Sequence, residues 1–258
     1  MRVFQFYLVS TPIGNLEDFS ARAAETLRSV DLVLAEDTRT ARVLLDRYGI
    51  RTPVRSYHDH NKDAVIPGVV REIKEGKRVA LIADAGTPVI SDPGFSLVRK
   101  LIEENIEITA VPGATAVMAA LILSGLPPDR FTFYGYVPRK AGERSRTLAE
   151  AAGNAHTSIF FESPHRLVAT LEALAEIAPG REIVVARELT KLHEEVRRGS
   201  AEELAAHFTK AAPRGEITVL VRGLGKRARD REAGPPAEGS PMPGGRAPRR
   251  LRGGDRTG

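Results

Sequence analysis

The chain has 258 residues, enough for one large domain or two modest ones with their own cores. It has no cysteine, which excludes disulfides, iron–sulfur clusters and thiolate zinc sites and fits a reducing compartment. The formal net charge of +5 is concentrated at the end: from Gly225 onward there are nine Lys or Arg against four Asp or Glu, and the rest carries 29 of each. That tail is rich in Gly, Pro and Arg and poor in apolar residues, so residues 225–258 are expected to be disordered. Such an arm either touches RNA phosphates or is only a solvated end, and composition leaves both open. No apolar run reaches the roughly 18 residues of a membrane span. The first ten residues read as a strand rather than a signal peptide. A cytoplasmic protein without membrane contact is expected.

In chain order, Tyr7-Leu8-Val9-Ser10 reads as the first strand and Thr11-Pro12-Ile13-Gly14-Asn15 as a rigid loop at its end. The spacing of Phe19, Ala23 and Leu27 predicts a helix over 17–29. Residues 31–35 form a second strand ending in Glu36-Asp37-Thr38-Arg39-Thr40, and the next helix closes near Tyr48 with Gly49 as its stop. A polar cluster, Ser56-Tyr57-His58-Asp59-His60-Asn61, precedes a helix ending near Gly76. The apolar run 79–83 is typical of a buried parallel strand. Its loop, 84–94, holds two glycines, two prolines and two aspartates, and Asp92-Pro93 reads as an N-cap with proline at the first position of a helix over 95–102. Residues 106–111 are a further strand, ending in Pro112-Gly113-Ala114-Thr115-Ala116.

The second half begins with a helix over 114–124, stopped by Gly125-Leu126-Pro127-Pro128. Strands are expected at 131–136, 157–162, 181–187 and 216–221, with 196–199 short and hairpin-like. Helices are expected after Ser163-Pro164 and over 201–210, and the basic stretch 139–146 reads as mobile. The fold class is therefore α/β, with two α/β domains, 1–112 and 113–224, and a cleft between them. Loops at the carboxyl ends of parallel strands are where open α/β sheets bind ligands. Four of them here, at 11–15, 36–40, 84–94 and 112–116, are loaded with small, rigid or charged residues. The alternative for 84–94 is a tight strand-to-helix turn that binds nothing.

No phosphate loop, dinucleotide fingerprint or H-E-x-x-H motif is present. His58 and His60 alternate onto one side of a loop, but sequence places no third ligand, and no metal is expected. Glu36 and Asp37 with Arg39 are either acid–base machinery or a helix start with its capping carboxylate.

Six blocks appear in order: Ser10-Thr11-Pro12-Ile13-Gly14-Asn15-Leu16, Ala35-Glu36-Asp37-Thr38-Arg39, His58-Asp59-His60-Asn61, Asp84-Ala85-Gly86-Thr87-Pro88, Phe161-Glu162-Ser163-Pro164-His165-Arg166 and Ala186-Arg187-Glu188-Leu189-Thr190-Lys191. Over roughly 6–223 the chain resembles the ribosomal RNA methyltransferase branch of the tetrapyrrole methylase superfamily. The resemblance implies two α/β domains with S-adenosylmethionine folded in the cleft, usually in a homodimer. It further implies methylation of the ribose 2′-hydroxyl of a cytidine in the decoding region of 16S rRNA, on free rRNA or the small ribosomal subunit. Tetrapyrrole-methylating members carry a G-x-G-x-G-type first loop and a central G-D-P. Here those positions read Thr11-Pro12-Ile13-Gly14 and Gly86-Thr87-Pro88, which points away from tetrapyrroles. Many members of the rRNA branch continue into a small helical domain where this chain has its basic tail. Two other functions remain open at this point, a small-molecule methyltransferase and a non-catalytic RNA-binding assembly factor.

On this reading the cofactor-binding candidates are Pro12, Gly14, Asp84, Gly86, Thr87, Pro88, Ser91, Asp92, Gly113, Ala114, Thr115, Ala116, Tyr136, Gly215 and Glu216. A zwitterion with an added sulfonium charge suits backbone groups and a helix start such as Gly113-Ala114-Thr115 better than a phosphate cradle. The catalytic candidates are Lys191, Arg187, Glu188, His60, Asp37 and Arg39, with Asn61 able to hold the ribose. A histidine base suits neutral pH, which favours His60. The Arg187–Lys191 block favours Lys191, provided that Arg39 beside Arg187 lowers its pKa by like-charge repulsion. Asp37 and Glu188 are either catalytic or only orient those cations.

Overall fold

A computed structural model describes residues 3–225, so the tail from 226 onward lies outside the described residues. Five short strands, β1 (Phe6–Val9), β2 (Leu32–Ala35), β3 (Val54–Ser56), β4 (Val79–Ile82) and β5 (Ile108–Val111), form a parallel sheet in the order β3-β2-β4-β1-β5. Side chains alternate across a strand, so a continuous apolar run feeds two cores. Leu32 and Leu34 of β2 join one cluster, and Val33 and Ala35 join the other. Helices α1 (Ala21–Ser29) and α2 (Thr38–Arg47) cover the Val33 face through Ala23, Leu27, Leu44 and Leu45. On the opposite face lie α3 (Lys62–Lys74) and α4 (Phe95–Glu103), through Val69, Ile73, Leu97 and Leu101. Each fully buried leucine contributes about 1.5–3 kcal/mol, so both layers are anchored by a few residues.

The second sheet is mixed. It comprises β6 (Phe131–Tyr136), β7 (Thr157–Glu162), β8 (Glu182–Arg187), β9 (Glu195–Ser200) and β10 (Ile217–Val221) in the order β6-β7-β10-β8-β9. Of its four neighbouring pairs β6–β7 is parallel and the other three are antiparallel. On one face pack α6 (Ala141–Gly153), α7 (Pro164–Ile177) and α8 (Ala201–Lys210), the last closed by a Ser200–Glu203 capping box. The other face is covered by α5 (Ala116–Ser124) through Val117, Ala120 and Leu121, joined by Ile13 from the loop after β1. The first loop of the chain is thus built into the core of the second half.

Several expectations need correction. The stretch 139–146 read as mobile is helical from Ala141: it leads into α6, whose buried residues Leu148, Ala151 and Ala152 lie only near its end, so its first turns look like loop in sequence. The helix expected over 17–29 is a short 3-10 turn at Leu16–Asp18 followed by α1, because the Ser20 side chain accepts from Ala23 N and restarts the backbone. Asp92-Pro93 does not cap α4. Gly94 occupies the N-cap at φ 141°, which leaves Asp92 outside the helix. Helix α5 starts at Ala116 rather than at 114. The three-residue β3 has no apolar alternation in sequence and forms only by pairing with β2.

Candidate active site

The carboxyl ends of β1, β4 and β5 are stitched into one surface. Thr11 N donates to Gly86 O at 2.8 Å and Gly86 N donates back to Thr11 O at 3.2 Å. Thr11 Oγ1 donates to Ala83 O at 3.1 Å, the Ser10 and Thr87 hydroxyls lie 3.1 Å apart, and Thr87 Oγ1 donates to Ala114 O at 3.3 Å. Within 84–94, Val89 (φ 77°) and Ser91 (φ 64°) join Gly86 and Gly94 at positive φ. A left-handed non-glycine residue costs on the order of 1–3 kcal/mol and persists where surrounding contacts impose it, typically around a site.

Beside it opens a cavity of about 390 Å³ between the two sheets. Asp84, Ala85, Gly86, Thr87, Ile90, Ser91 and Asp92 form one wall, with Glu36 and Ile13. The N-terminus of α5 (Thr115, Ala116, Val117) forms another, and no side chain caps that helix. Tyr136 of β6, Phe161 and Glu162 of β7, Ser163, Pro164, and 215–218 leading into β10 close it. Tyr136 and Phe161 have ring centroids 5.4 Å apart. Of the 21 lining residues five are acidic and none is Lys, Arg or His. Burial, then Glu36, Asp84 and Glu216, push Asp92 up to about 7, and burial with Asp84 raises Glu36. Glu162 has its own partners: its carboxylate accepts from Ser163 N at 2.7 Å and Thr170 Oγ1 at 2.7 Å and lies 3.4 Å from Arg166. Arg166 also donates to the carbonyls of Val137 (2.7 Å) and Pro138 (3.0 Å), fixing the end of β6 where Tyr136 sits.

A second depression of about 460 Å³ shares Glu36 and Asp84 with the first and is lined otherwise by Asp37, Thr38, Arg39, Ser56, His58 and His60. Asp37 caps α2 and holds the exposed Arg39 guanidinium at 2.6 Å, which keeps the Asp37 carboxyl at about 2. Of the two roles weighed for these residues from sequence, acid–base machinery and helix start, the second is the one seen at Asp37. Asn61 shapes the loop, accepting from His58 N at 2.9 Å and donating to Ser56 O at 3.1 Å. His58 and His60 stand edge-to-face at 6.0 Å, and among the described residues no three His, Asp or Glu are grouped for a metal.

On the other lip, Lys191 Nζ donates to Glu188 Oε1 at 2.9 Å and to Glu216 Oε2 at 3.1 Å. Burial opposes its charge, but those hydrogen bonds outweigh burial and hold Lys191 above the usual lysine value. The expected lowering by Arg39 and Arg187 is not found, because each arginine is paired elsewhere, Arg39 with Asp37 and Arg187 with Glu195. Arg187 lines a different cavity, with Glu195, Arg197 and His207. Loop 188–191 is docked on the first loop: Asn15 N donates to Thr190 Oγ1 at 3.0 Å, and a Cβ on Gly14 would lie 2.4 Å from Lys191 Cγ. Gly14 thus makes room for Lys191 rather than facing the cavity. A Cβ on Gly215 would likewise fall 1.9 Å from Glu188 Oε1.

Ten of the fifteen cofactor candidates line the cavity: Asp84, Gly86, Thr87, Ser91, Asp92, Thr115, Ala116, Tyr136, Gly215 and Glu216. Pro12, Gly14, Pro88, Gly113 and Ala114 lie behind it and shape its loops. Ile13, Phe161, Glu162, Ser163, Pro164, Ile217 and Thr218 were not anticipated as lining residues. The block 161–166 did stand out in sequence, but nothing in it told a wall from a helix start.

Comparison with known proteins agrees with this geometry. Residues 5–205 match the model of the tetrapyrrole (corrin/porphyrin) methylases. Proteins named ribosomal RNA small subunit methyltransferase I are similar along most of the chain. The one from Thermotoga maritima is 48% identical, covering 84% of this chain and 97% of its own. Those from Mesorhizobium japonicum (49%; 83% and 74%) and Bacillus subtilis (45%; 88% and 77%) follow the same pattern. Among solved structures, diphthine synthase (TM-score 0.65, 14% identity, 87% of this chain and 92% of that one) and cobalt precorrin-4 methyltransferase (0.63, 18%, 87% and 95%) share the fold. The chain belongs to the tetrapyrrole methylase family, in the group that carries the ribosomal RNA small subunit methyltransferase I name.

Proposed function

We propose that the protein is an S-adenosylmethionine-dependent methyltransferase that acts on the ribose 2′-hydroxyl of a cytidine in the decoding region of 16S rRNA. The observation that carries the cofactor reading is the acidic, cation-free cavity beside a backbone-rich loop. Its donor set fits the group: carboxylates for the sulfonium and ammonium, the uncapped start of α5 for the carboxylate, and Tyr136 with Phe161 for the adenine ring. A polyphosphate would be repelled there. The RNA substrate rests on the rRNA-methyltransferase relatives, and the cytidine, the 2′-hydroxyl and the decoding region rest on the sequence resemblance. The Thr11-Pro12-Ile13-Gly14 loop disfavours the tetrapyrrole alternative.

When bound, the cofactor would supply an electrophilic methyl group to the hydroxyl oxygen, its sulfur keeping the electrons of the broken S–CH3 bond and the hydroxyl proton passing to a base. Much of the rate then comes from positioning oxygen in line with the methyl carbon. Glu36 and Asp84 join the cavity to the depression that holds His60 and Arg39, so that depression is the assigned seat of the target nucleotide. His60 is assigned as the base. Lys191, kept charged by Glu188 and Glu216, offsets negative charge that develops on the attacking oxygen. The exposed Met118 and Ile122 of α5 and Phe95 and Ile102 of α4 support a homodimer, which sedimentation would reveal as twice the monomer mass. No described helix is long and apolar enough to cross a membrane. A cytoplasmic site of action rests on the rRNA-methyltransferase relatives. Ribose-methylation mapping of 16S rRNA from a strain lacking the protein tests the reading. One decoding-region cytidine should lose its 2′-O-methyl group, and an unchanged map would refute it.

A further inference from the structure

The acidic wall does more than accommodate a cation. Four carboxylates, Glu36, Asp84, Asp92 and Glu216, converge on the cavity from the ends of β2 and β4, from the loop before α4 and from the entry to β10. The fifth, Glu162, is already satisfied by Arg166, Thr170 and Ser163 N. Of the other four, Glu216 touches Lys191 at the lip, and Asp84 accepts from Asp37 N at 3.1 Å. Tyr136, facing Asp92 from β6, is held above its usual value by burial and by Glu216 and Asp92, and stays neutral. The wall therefore carries several closely spaced negative charges with little internal compensation.

We infer that Asp92, together with Glu36, Asp84 and Glu216, makes this cavity choose its ligand by charge, favouring the sulfonium cofactor over its demethylated thioether product. This rests on the cofactor reading above. Methyl transfer lowers the ligand's charge by one with little change in shape. An anionic wall feels that change directly, whereas apolar packing does not. The spent cofactor is then released more readily than the fresh one, without any movement of the fold. Because burial, with Glu36, Asp84 and Glu216, pushes Asp92 up to about 7, a cationic ligand should drive its proton off. The neutral thioether should do so weakly. Both ligands carry the same ammonium and carboxylate, so their affinity ratio isolates the sulfur.

Calorimetric titration of the full chain with S-adenosylmethionine and with S-adenosylhomocysteine, from pH 6 to 8 in buffers of different ionisation enthalpy, tests this. The preference for the sulfonium ligand should grow by about tenfold over that range, as expected for one group titrating near its middle. Protons should be released on its binding below pH 7. Asp92→Asn should flatten the pH dependence and reduce the preference at pH 8. Glu36→Gln, by removing a neighbouring charge, should move the break to lower pH. Both ligands binding wild type with a pH-independent ratio, or an unaltered ratio in Asp92→Asn, would overturn the inference alone. Binding of neither would overturn the cofactor reading as well.

Discussion

Lys191 Nζ donates to Glu216 Oε2 at 3.1 Å, so the single cation on this lip is tied to a residue of the cavity wall. With Glu188 as a second partner it is a structural cross-brace as well as a positive charge. Lys191→Met should slow single-turnover methylation by roughly 10–100-fold with saturating cofactor. Lys191→Arg should recover part of that loss. The pH–rate profile of the wild type should show no break from a low-pKa lysine, because hydrogen bonding raises rather than lowers this group.

His60 carries the base assignment. His60→Gln should lower the single-turnover rate by roughly 100-fold, with cofactor affinity unchanged by calorimetry. If the rate survives in His60→Gln, the proton goes elsewhere.

Gly14 tests how the two halves are joined. Its missing Cβ would overlap Lys191 Cγ, so Gly14→Ala should destabilise the protein by about 1–3 kcal/mol in urea denaturation, as overpacking does. Methylation should fall with it. Gly68→Ala, inside α3, where nothing lies within 4 Å of the added carbon, should leave methylation untouched.

The Glu162–Arg166 link predicts a larger cost. The Glu162 side chain is fully buried, and Arg166→Ala would leave its charge short of a partner. About 3 kcal/mol should be lost, and cofactor affinity should drop because the end of β6 loses its two carbonyl anchors.

Stability should also respond to pH through Asp92. Its folded value, about 7, lies above the ordinary 3.8, so between these values the folded protein holds a proton that the unfolded chain has released. Stability from this group is full below the lower value and lost as pH rises through the upper one. Asp92→Asn should therefore melt higher than wild type at pH 8 and equally near pH 4, with the difference growing between.

How much of this was legible in sequence depended on the physics of each element. Apolar runs such as 79–82 and 217–221 declare buried strands because nothing else tolerates them. The loop at 84–94 declared itself through glycine and proline, which act locally. Helix α6 did not, since its burial comes from three residues near its end. Nor did β3, which exists only through its neighbour β2. The ionic state of Lys191 was read with the wrong sign: Glu216 lies 25 residues away, and only folding brings the two together.

The most direct measurement is methyl transfer itself. Purified protein would be incubated with methyl-labelled S-adenosylmethionine and with 16S rRNA or small subunits from a strain lacking it, and the labelled RNA digested with alkali. A ribose 2′-O-methyl group blocks cleavage at its own phosphate, so the label should appear in one alkali-stable dinucleotide beginning with cytidine. Label in mononucleotides, which would place the methyl on a base, or no label in RNA despite cofactor binding, would contradict the proposed function.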